Sequence, residues 1–491
     1  MVKLIYSDIA PGADADAEVT TSAYTDSSAP ETIPFGASTG AIATCELNAW
    51  GLKYDFKPRG KQPFAFWSEN ISGADGTFEE PPAISISFDE KYTTSGLTIK
   101  FSPDANDYCS QITVVWYQDG VIKEQGTYYP ATPLCLLENA VEAFDGIAIY
   151  FDKTHQPNRR VKLEYIGIGI VREFTGKELT AFKSIHEISY ISDTVPANVL
   201  DASFHSNTNA EFVFQKKQPV EAYNDDDLIG VYYIEKGERV SGQNYSISCH
   251  DAIGILDLDE YKGGMWFKGA TIETMLDDVI GGLFEYELDD ALKGMTLKGY
   301  IPPGTRREAL QHIAFASDAV IDTTGTRKIK IFVPAEGDGT VIPPKETYQG
   351  GKVTTADIVT KVHVIGYMIY EGEKEHDDDE SIEINGKQYG ATAFQATATN
   401  TNVTEQTFPN AVTYDGCYLM HQDNAFIKAQ KLLDYHNRRS VYSAKHILSG
   451  QRLGDRATVT TPWHDVKNAN ITKMTISVSG IVASDTEFLL D

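Results

Sequence analysis

Apolar and polar residues alternate with period two through much of the chain between residues 41 and 170. The alternation is clearest at 83–88, 97–101, 112–117 and 147–151, and turn residues separate these segments. Because successive side chains of a strand point to opposite faces, this pattern predicts half-buried β-strands. Short strands between turns are typical of a β-sandwich, which we predict for residues 41–170.

A second β-rich segment covers residues 171–262. Its acidic run at 224–227 lies between two apolar segments and predicts a hairpin loop. The predicted strands of this segment are 185–191, 212–214, 230–234 and 245–249. Residues 1–40 are rich in small and polar residues, so we predict an extended arm there.

The apolar spacing changes to that of a helix after residue 262. Thr271 is a candidate N-cap, and the apolar residues that follow share one helix face: Ile272, Met275, Leu276, Val279, Ile280 and Leu283. Thr305 and Glu308 have the spacing of a capping box and predict the start of a second helix. We therefore predict a small α+β unit over 263–345.

Residues 346–491 return to a β pattern with one helix. A strand is predicted at 362–370, and seven acids occur among the ten residues 371–380. This acidic segment and the Ala- and Thr-rich residues 391–407 are interpreted as exposed loop or insertion. A helix is predicted over 423–436, with one face made of Phe426, Ala429, Leu433 and His436. The expected fold class is mainly β with small α+β parts.

Composition limits the classes of partner. The 491 residues include 70 acids and 42 basic residues, a net charge of −28. This charge argues against wrapping nucleic acid and against docking on anionic lipid. The five cysteines contain no CxxC pair, so neither a disulfide framework, a zinc site nor a cofactor is expected. Residues 1–20 lack a signal-peptide pattern and no stretch is long enough to span a bilayer, so we expect synthesis and folding in a reducing cytoplasm.

Motifs that could carry chemistry are each better explained without it. The GxSxG match around Ser38 lacks the strand and helix that a nucleophile elbow needs. The acids at 14–18 lack the glycine and the terminal glutamate of a calcium loop, and those at 376–380, which could trap a cation, are interpreted as a solvated loop. His186 with Glu187 lacks the second histidine of a zincin, and for His250 with Asp251 the sequence suggests no serine or cysteine partner, so a structural hydrogen bond is expected there. We predict no catalytic residue, no metal site and no enzymatic activity.

Aromatic residues of the predicted sandwich leave two interpretations open. They could form its core, or exposed rings could stack on sugars. The aromatic residues considered are Trp50, Phe64, Phe66, Trp67, Trp116, Tyr117, Tyr128 and Tyr129. Among these, the candidate carbohydrate contacts are Trp50, Trp67, Trp116 and Tyr117.

Several ordered stretches resemble the tail hub proteins of phages and prophages of Gram-positive bacteria. The family includes the N-terminal hub region of tail-associated lysins and the late-control-D type baseplate hubs. The stretches are ATCELNAW (43–50), FWS (66–68), 88–101, PNRRVKL (157–163), IGIG (166–169), YSISCHDAIGILD (245–257), YIPPGTRREAL (300–310), LGDR (453–456) and ITKM (471–474).

The resemblance implies a homotrimer whose subunits each contribute two tube-like β-barrel domains, here 171–262 and 346–491, with the unit 263–345 distal. The sandwich would be an added domain similar to carbohydrate-binding modules. The hub would join a sixfold tail tube to a threefold tip in the virion tail and would contact tube, distal tail and tip or fibre proteins. DNA would pass its channel without specific binding, and no membrane insertion is expected.

Two further expectations follow from this resemblance. Three copies would together carry 84 net negative charges, 28 from each, and we expect many acids to line the channel. Because the chain ends soon after its last predicted strand, we expect no C-terminal hydrolase or fibre extension. The alternative function is a sugar-binding adhesin or a cell-wall hydrolase module at the tail tip, with host cell-wall carbohydrate as its partner.

Overall fold

The computed structural model describes residues 2–9, 12–26, 28–33, 65–102, 107–206, 219–225, 227–334, 339–384, 386–404, 406–479 and 481–491. The chain divides into two compact units. The N-terminal unit is Tyr6–Glu173, and the main unit combines Met1–Ile5 with Phe174–Asp491. Strands predominate and the helices are few and short, so the predicted mainly-β fold class is confirmed.

The first elements in chain order are β1 (Val2–Ile9), α1 (Ala13–Asp16), β2 (Glu18–Thr21), β3 (Phe66–Trp67), β4 (Ala83–Phe101), β5 (Cys109–Gln118), β6 (Val121–Tyr128), β7 (Leu134–Thr154), β8 (Lys162–Gly167) and β9 (Gly169–Phe174). The sheet of the N-terminal unit has the order β3-β8-β4-β7-β5-β6, with β2 beside β4. The long strands β4 and β7 pair in two segments, 83–87 with 146–150 and 96–100 with 134–138, and the register shifts between them. The sheet bends at these shifts around one core. The predicted strands at 112–117 and 147–151 lie within β5 and β7, but those predicted at 83–88 and 97–101 are parts of one strand, β4, and are not separated by a turn.

The main unit continues with β10 (Leu179–Glu187), β11 (Val199–His205), β12 (Pro219–Asn224), β13 (Asp227–Ser241), β14 (Asn244–His250), α2 (Ala252–Leu256), β15 (Glu260–Tyr261), β16 (Gly264–Thr271), α3 (Ile272–Ile280), β17 (Tyr286–Leu288), β18 (Thr296–Ile301), β19 (Gly304–Thr305), α4 (Arg306–Ser317), β20 (Val320–Asp322) and β21 (Ile329–Phe332). Asn224 lies opposite Asp227 in the β12–β13 hairpin, which confirms the predicted loop.

The remaining elements are β22 (Thr340–Val341), β23 (Lys352–Thr355), β24 (Lys361–Glu371), β25 (Glu380–Ile384), β26 (Lys387–Thr399), β27 (Ala411–Tyr414), α5 (Ala425–Asn437), β28 (Ser440–Ile447), β29 (Arg456–Thr460), β30 (Val466–Ser479) and β31 (Ile481–Leu490). Strands β25-β26-β24-β27 form a separate sheet, and the core beneath it is continuous with that of α2, α3 and α4.

Twelve of the thirteen strands of the large sheet, all except β9, form two halves with the same strand order. The first half has the order β1-β12-β13-β14-β11-β10, and the second half has the order β22-β29-β30-β31-β28-β23. If each half's strands are numbered along the chain, both orders read 1-4-5-6-3-2. The main unit therefore contains an internal structural duplication, with β24–β27 and α5 inserted into the second half.

The two central helices follow their sequence signals closely. Thr271 caps α3 by accepting a hydrogen bond from the Thr274 N–H, and the capping box of Thr305 and Glu308 begins α4. Leu283, predicted on the apolar face of the first helix, is instead exposed. The helix ends at Ile280 because Gly281 adopts a left-handed conformation with φ 61°.

Two predictions in the inserted segment are wrong. Residues 391–399 do not form a loop. They are the second part of β26, whose residues 389–399 pair with the whole of β24. Their small side chains fit there because α5 packs against this sheet and buries Ala396 and Ala398. Phe426 is 56% exposed, since α5 turns Ala425, Lys428 and Leu432 toward the core instead.

Candidate functional site at the junction of the two halves

Strand β30 joins the two halves into one sheet. Its first part, up to Asn470, pairs with β29, and its second part, from Lys473, pairs with β10 along the same edge. Between the two parts, the Ile188 N–H donates to the Thr472 carbonyl at 3.0 Å. A single strand therefore belongs to the second half at its start and completes the edge of the first half at its end.

Charged side chains alternate in sign across the outer face of this junction, the face turned away from the core. Lys473 lies between Glu187 on β10, with Nζ and Oε2 2.7 Å apart, and Glu487 on β31. Further pairs of opposite charge face each other across neighbouring strands, namely Lys445 with Asp485 and Lys183 with Asp201. Opposite charges on facing strands stabilise a sheet modestly. The acid excess of the chain is therefore not concentrated on this face.

The inner face of the junction holds a buried polar cluster. The Ser184 hydroxyl, the His186 Nε2 and the Tyr232 hydroxyl are mutually hydrogen-bonded, with the Ser184 and Tyr232 oxygens 2.7 Å apart. Burial lowers the pKa of His186 to about 3, so its imidazole is neutral. The three groups satisfy one another away from solvent, which suits the fixing of strand positions.

A second buried network anchors the helices to the first half. Asp251 caps α2 by accepting from the Gly254 N–H at 3.1 Å, and its other oxygen accepts from the Thr323 hydroxyl at 2.6 Å. Asn198 donates to that hydroxyl and accepts the backbone N–H of Glu187. Strand β10 and the loop after β20 are thus connected through hydrogen bonds of buried side chains.

Asp322, beside this network, predicts a pH-dependent stability. Burial raises the pKa of this carboxyl from 3.8 to about 6, although Thr324 donates two hydrogen bonds to it. Between these two pKa values, the folded state keeps the carboxyl protonated whereas the unfolded state has released the proton. Protonation of Asp322 therefore stabilises the folded state at low pH, and this stabilisation is lost as pH rises from about 4 to about 6. Compared with Asp322→Asn, the wild-type free energy of unfolding should fall by about 3 kcal/mol across that range. Urea unfolding of both proteins at several pH values measures the difference, and parallel curves would contradict it.

The histidine pairs of the sequence have structural surroundings. His186 points into the polar cluster, whereas Glu187 pairs with Lys473 on the outer face, so the two do not act together. His250 Nε2 lies 2.8 Å from Glu235, and Asp251 is turned into the α2 cap. Neither histidine is brought beside a nucleophile that faces solvent. Sequence reasoning missed Ser184, Asn198, Tyr232 and Thr323, because polar residues at buried strand positions have no motif of their own.

The acidic segment after β24 is exposed except for Asp379. That carboxylate accepts hydrogen bonds from the Tyr370 hydroxyl, the Thr392 hydroxyl and the His376 N–H. These bonds, that from Tyr370 first, hold the pKa of Asp379 below its usual value. Across the described ranges, no group of three or more metal-binding side chains comes together. In the same ranges, no helix is long and apolar enough to cross a membrane.

The candidate carbohydrate contacts lie in different environments. Trp67 is 6% exposed and Trp116 is 1% exposed, so these two rings lie in the core and offer no face to a sugar. Tyr117 is half-buried and lies against Gly146 of the neighbouring strand. Trp50, Phe64 and Ser38 lie outside the described residues. Among the members of the predicted set that the structure describes, Tyr129 is the most exposed aromatic, at 73%.

The fold of the chain is similar to the folds of several tail proteins of known structure. The chain is similar to a tail protein of Neisseria meningitidis, with TM-score 0.45 and 11% identity over 64% of this chain and 92% of that one. It is similar to a 43 kDa tail protein of prophage MuSo2 from Shewanella oneidensis, with TM-score 0.44 and 9% identity over 65% and 97%. A prophage tail protein of Listeria monocytogenes matches with TM-score 0.42 and 10% identity over 65% and 91%. No known protein family and no curated protein matches the sequence.

Proposed function

We propose that this chain is a structural, non-enzymatic hub at the tail tip or baseplate of a phage or phage-tail-like particle. In this function, three copies join a sixfold tail tube to a threefold tip and surround a channel. Tube, distal tail and tip or fibre proteins are its partners, and the virion tail is its location.

The observation that carries the proposal is the internal duplication of the large sheet. Two halves of six strands share one topology and lie side by side in one continuous sheet. A trimer of such chains presents six similar halves around its axis, and its symmetry remains threefold because the halves differ in sequence. This is the geometry that a component between sixfold and threefold neighbours needs.

The outer face of the junction suggests the character of the channel. Alternating lysines and carboxylates leave this face nearly neutral, so a channel lined by it would neither bind nor strongly repel DNA phosphates. We therefore propose a charge-paired lining at the junction, and the acidic channel expected from the net charge stays a prediction. Passage of DNA without specific binding is retained.

The alternative function, an adhesin or a cell-wall hydrolase, has weaker support. Of the four proposed carbohydrate contacts, Trp67 and Trp116 are core residues. Sugar binding through Trp50, which lies outside the described residues, or through Tyr117 stays a prediction.

Reconstruction of the tail end of purified particles by electron microscopy tests the proposed function. The chain should occupy a ring of three copies at the end of the tail tube. Particles whose tails are complete without this chain would contradict the proposal.

A further inference from the structure

Two hairpins of the large sheet occupy equivalent places in its two halves. By their places in the strand order, the β12–β13 hairpin corresponds to the β29–β30 hairpin. Ile185 of β10 pairs with Thr475 of β30, and it is linked to Tyr233 of β13 through paired residues of β11 and β14. Both β13 and β30 run in the direction opposite to that of β10, so their first residues lie at the same end of the sheet. The turns of the two hairpins therefore lie at that end.

The two turns at this end differ in chemistry. The turn of the first half, residues 224–227, ends in three consecutive aspartates, of which Asp225 and Asp227 are exposed. The turn of the second half, residues 461–465, has the sequence TPWHD, and its Trp463 is 66% exposed. We call this end of the sheet, with the turns 224–227 and 461–465, the divergent end.

The hairpins at the opposite end of the sheet match each other. The β13–β14 and β30–β31 hairpins are also equivalent, and their strands stay paired as far as Ser241 and Ser479. The sequence Val-Ser-Gly occurs at both turns, at 240–242 and at 478–480. Ile481, which follows the second of these tripeptides, is 53% exposed. We call this end, with residues 240–242 and 478–480, the matched end.

The turn that carries Trp463 is held by its own backbone. The Thr461 N–H donates to the Asp465 carbonyl at 2.9 Å, and the His464 N–H donates to the Thr461 carbonyl at 2.9 Å. His464 adopts a left-handed conformation with φ 67°. Two further exposed apolar side chains lie on the outer face of the adjoining strands, Val466 of β30 and Val341 of β22. An exposed tryptophan on an ordered turn, with apolar neighbours, has the features of an anchor in a protein interface.

The symmetry of a partner decides which end of the sheet it can contact. Six identical contacts with a sixfold partner need six similar surfaces, and three copies provide these where the two halves match. A threefold partner instead contacts each kind of turn three times, so turns that differ suit it. The helical segments support this assignment. The segment after His250 and the segment before Ser440 leave the sheet at the divergent end, because these residues are the ends of β14 and β28 nearest to it.

We propose that the divergent end docks on a protein trimer at the tail tip. Each subunit of this trimer takes one Trp463 side chain into an apolar pocket and places basic side chains against one acidic turn 224–227. The matched end then faces the sixfold tail tube. The inference rests on the proposed function, which supplies the three copies and the two kinds of neighbour, and it adds the direction in which the chain lies between them.

Site-specific photo-cross-linking in assembled particles tests this direction. One variant of the full chain is Trp463→p-benzoylphenylalanine, which keeps an aromatic side chain at the proposed anchor. The matched variant is Ile481→p-benzoylphenylalanine, at the other end of β30. Each variant is produced together with the wild-type chain, so that particles assemble with copies of both. After irradiation, mass spectrometry identifies the protein joined to each position, and particles kept in the dark give the background.

The two positions should capture different proteins. Position 463 should be joined to a tip protein present in three copies, and position 481 to the tube protein that repeats along the tail. If position 463 captures the tube protein, another copy of this chain or nothing, the inference is overturned and the proposed function stays intact. Capture of the tip protein from position 481 overturns it equally. Particles that never contain the chain overturn the proposed function itself.

Discussion

Replacing Asp107 with alanine should destabilise the N-terminal unit by about 3–5 kcal/mol. Its carboxylate accepts from Arg159 Nε at 2.7 Å and lies 2.8 Å from Lys162 Nζ. The three side chains are between 2% and 5% exposed. Removal of the carboxylate leaves two buried cations without this shared partner, and a buried charge that loses its partner is much costlier than an exposed one.

Hydrogen exchange measured by mass spectrometry on the full chain isolates this effect. Peptides from β5, β7 and β8 should lose protection, while peptides from β28 to β31 in the main unit should keep it. Lys91→Ala is the control, because Lys91 also pairs with an aspartate, Asp119, but its side chain is 43% exposed. That variant should cost less than about 1 kcal/mol. Equal loss of protection in both variants would contradict the argument from burial.

Replacing Asp251 with alanine should cost the main unit about 2–4 kcal/mol. The change removes the cap of α2, worth about 1 kcal/mol, and leaves the buried Thr323 hydroxyl without its acceptor, worth a further 1–3 kcal/mol. Because Asn198 connects Thr323 to the backbone of β10, the loss reaches the strand that joins the two halves.

Urea unfolding compares this variant with Thr271→Ala. Thr271 also caps a helix, accepting from the Thr274 N–H at 3.3 Å, but this cap is exposed. We expect the Thr271 variant to lose about 1 kcal/mol and the Asp251 variant clearly more. If the two losses are the same, the buried network adds nothing to the cap.

Local structure followed from the sequence where a helix cap supplied the signal. The capping box at Thr305 and the N-cap at Thr271 involve residues three apart, and both were found. The phase of alternation in β5 also separates the buried face of the strand from its other face. Ile112, Val114 and Trp116 share one face and are all buried, whereas Tyr117 is on the other face. That phase favours a core position for Trp116 over carbohydrate binding.

The junction and the duplication could not be predicted in this way. Lys473 and Glu187 are 286 residues apart, so no local pattern indicates their pairing. The two halves share strand order without a visible sequence repeat, because a strand position requires only suitable size and polarity. The inserted residues 361–437 further hide the second half by separating β23 from β28. The division into domains at 41–170, 171–262, 263–345 and 346–491 stays a proposal.

The central claim is that the two halves of three chains form one ring at the end of a tail tube. A cryo-electron microscopy map of the tail end of purified particles, refined without imposed symmetry, tests it most directly. We predict three copies of this chain, with first and second halves alternating around the axis and the charge-paired face of the junction lining the channel. A tail end that contains six copies, or in which the two halves of a chain do not lie at the same level around the axis, would contradict it.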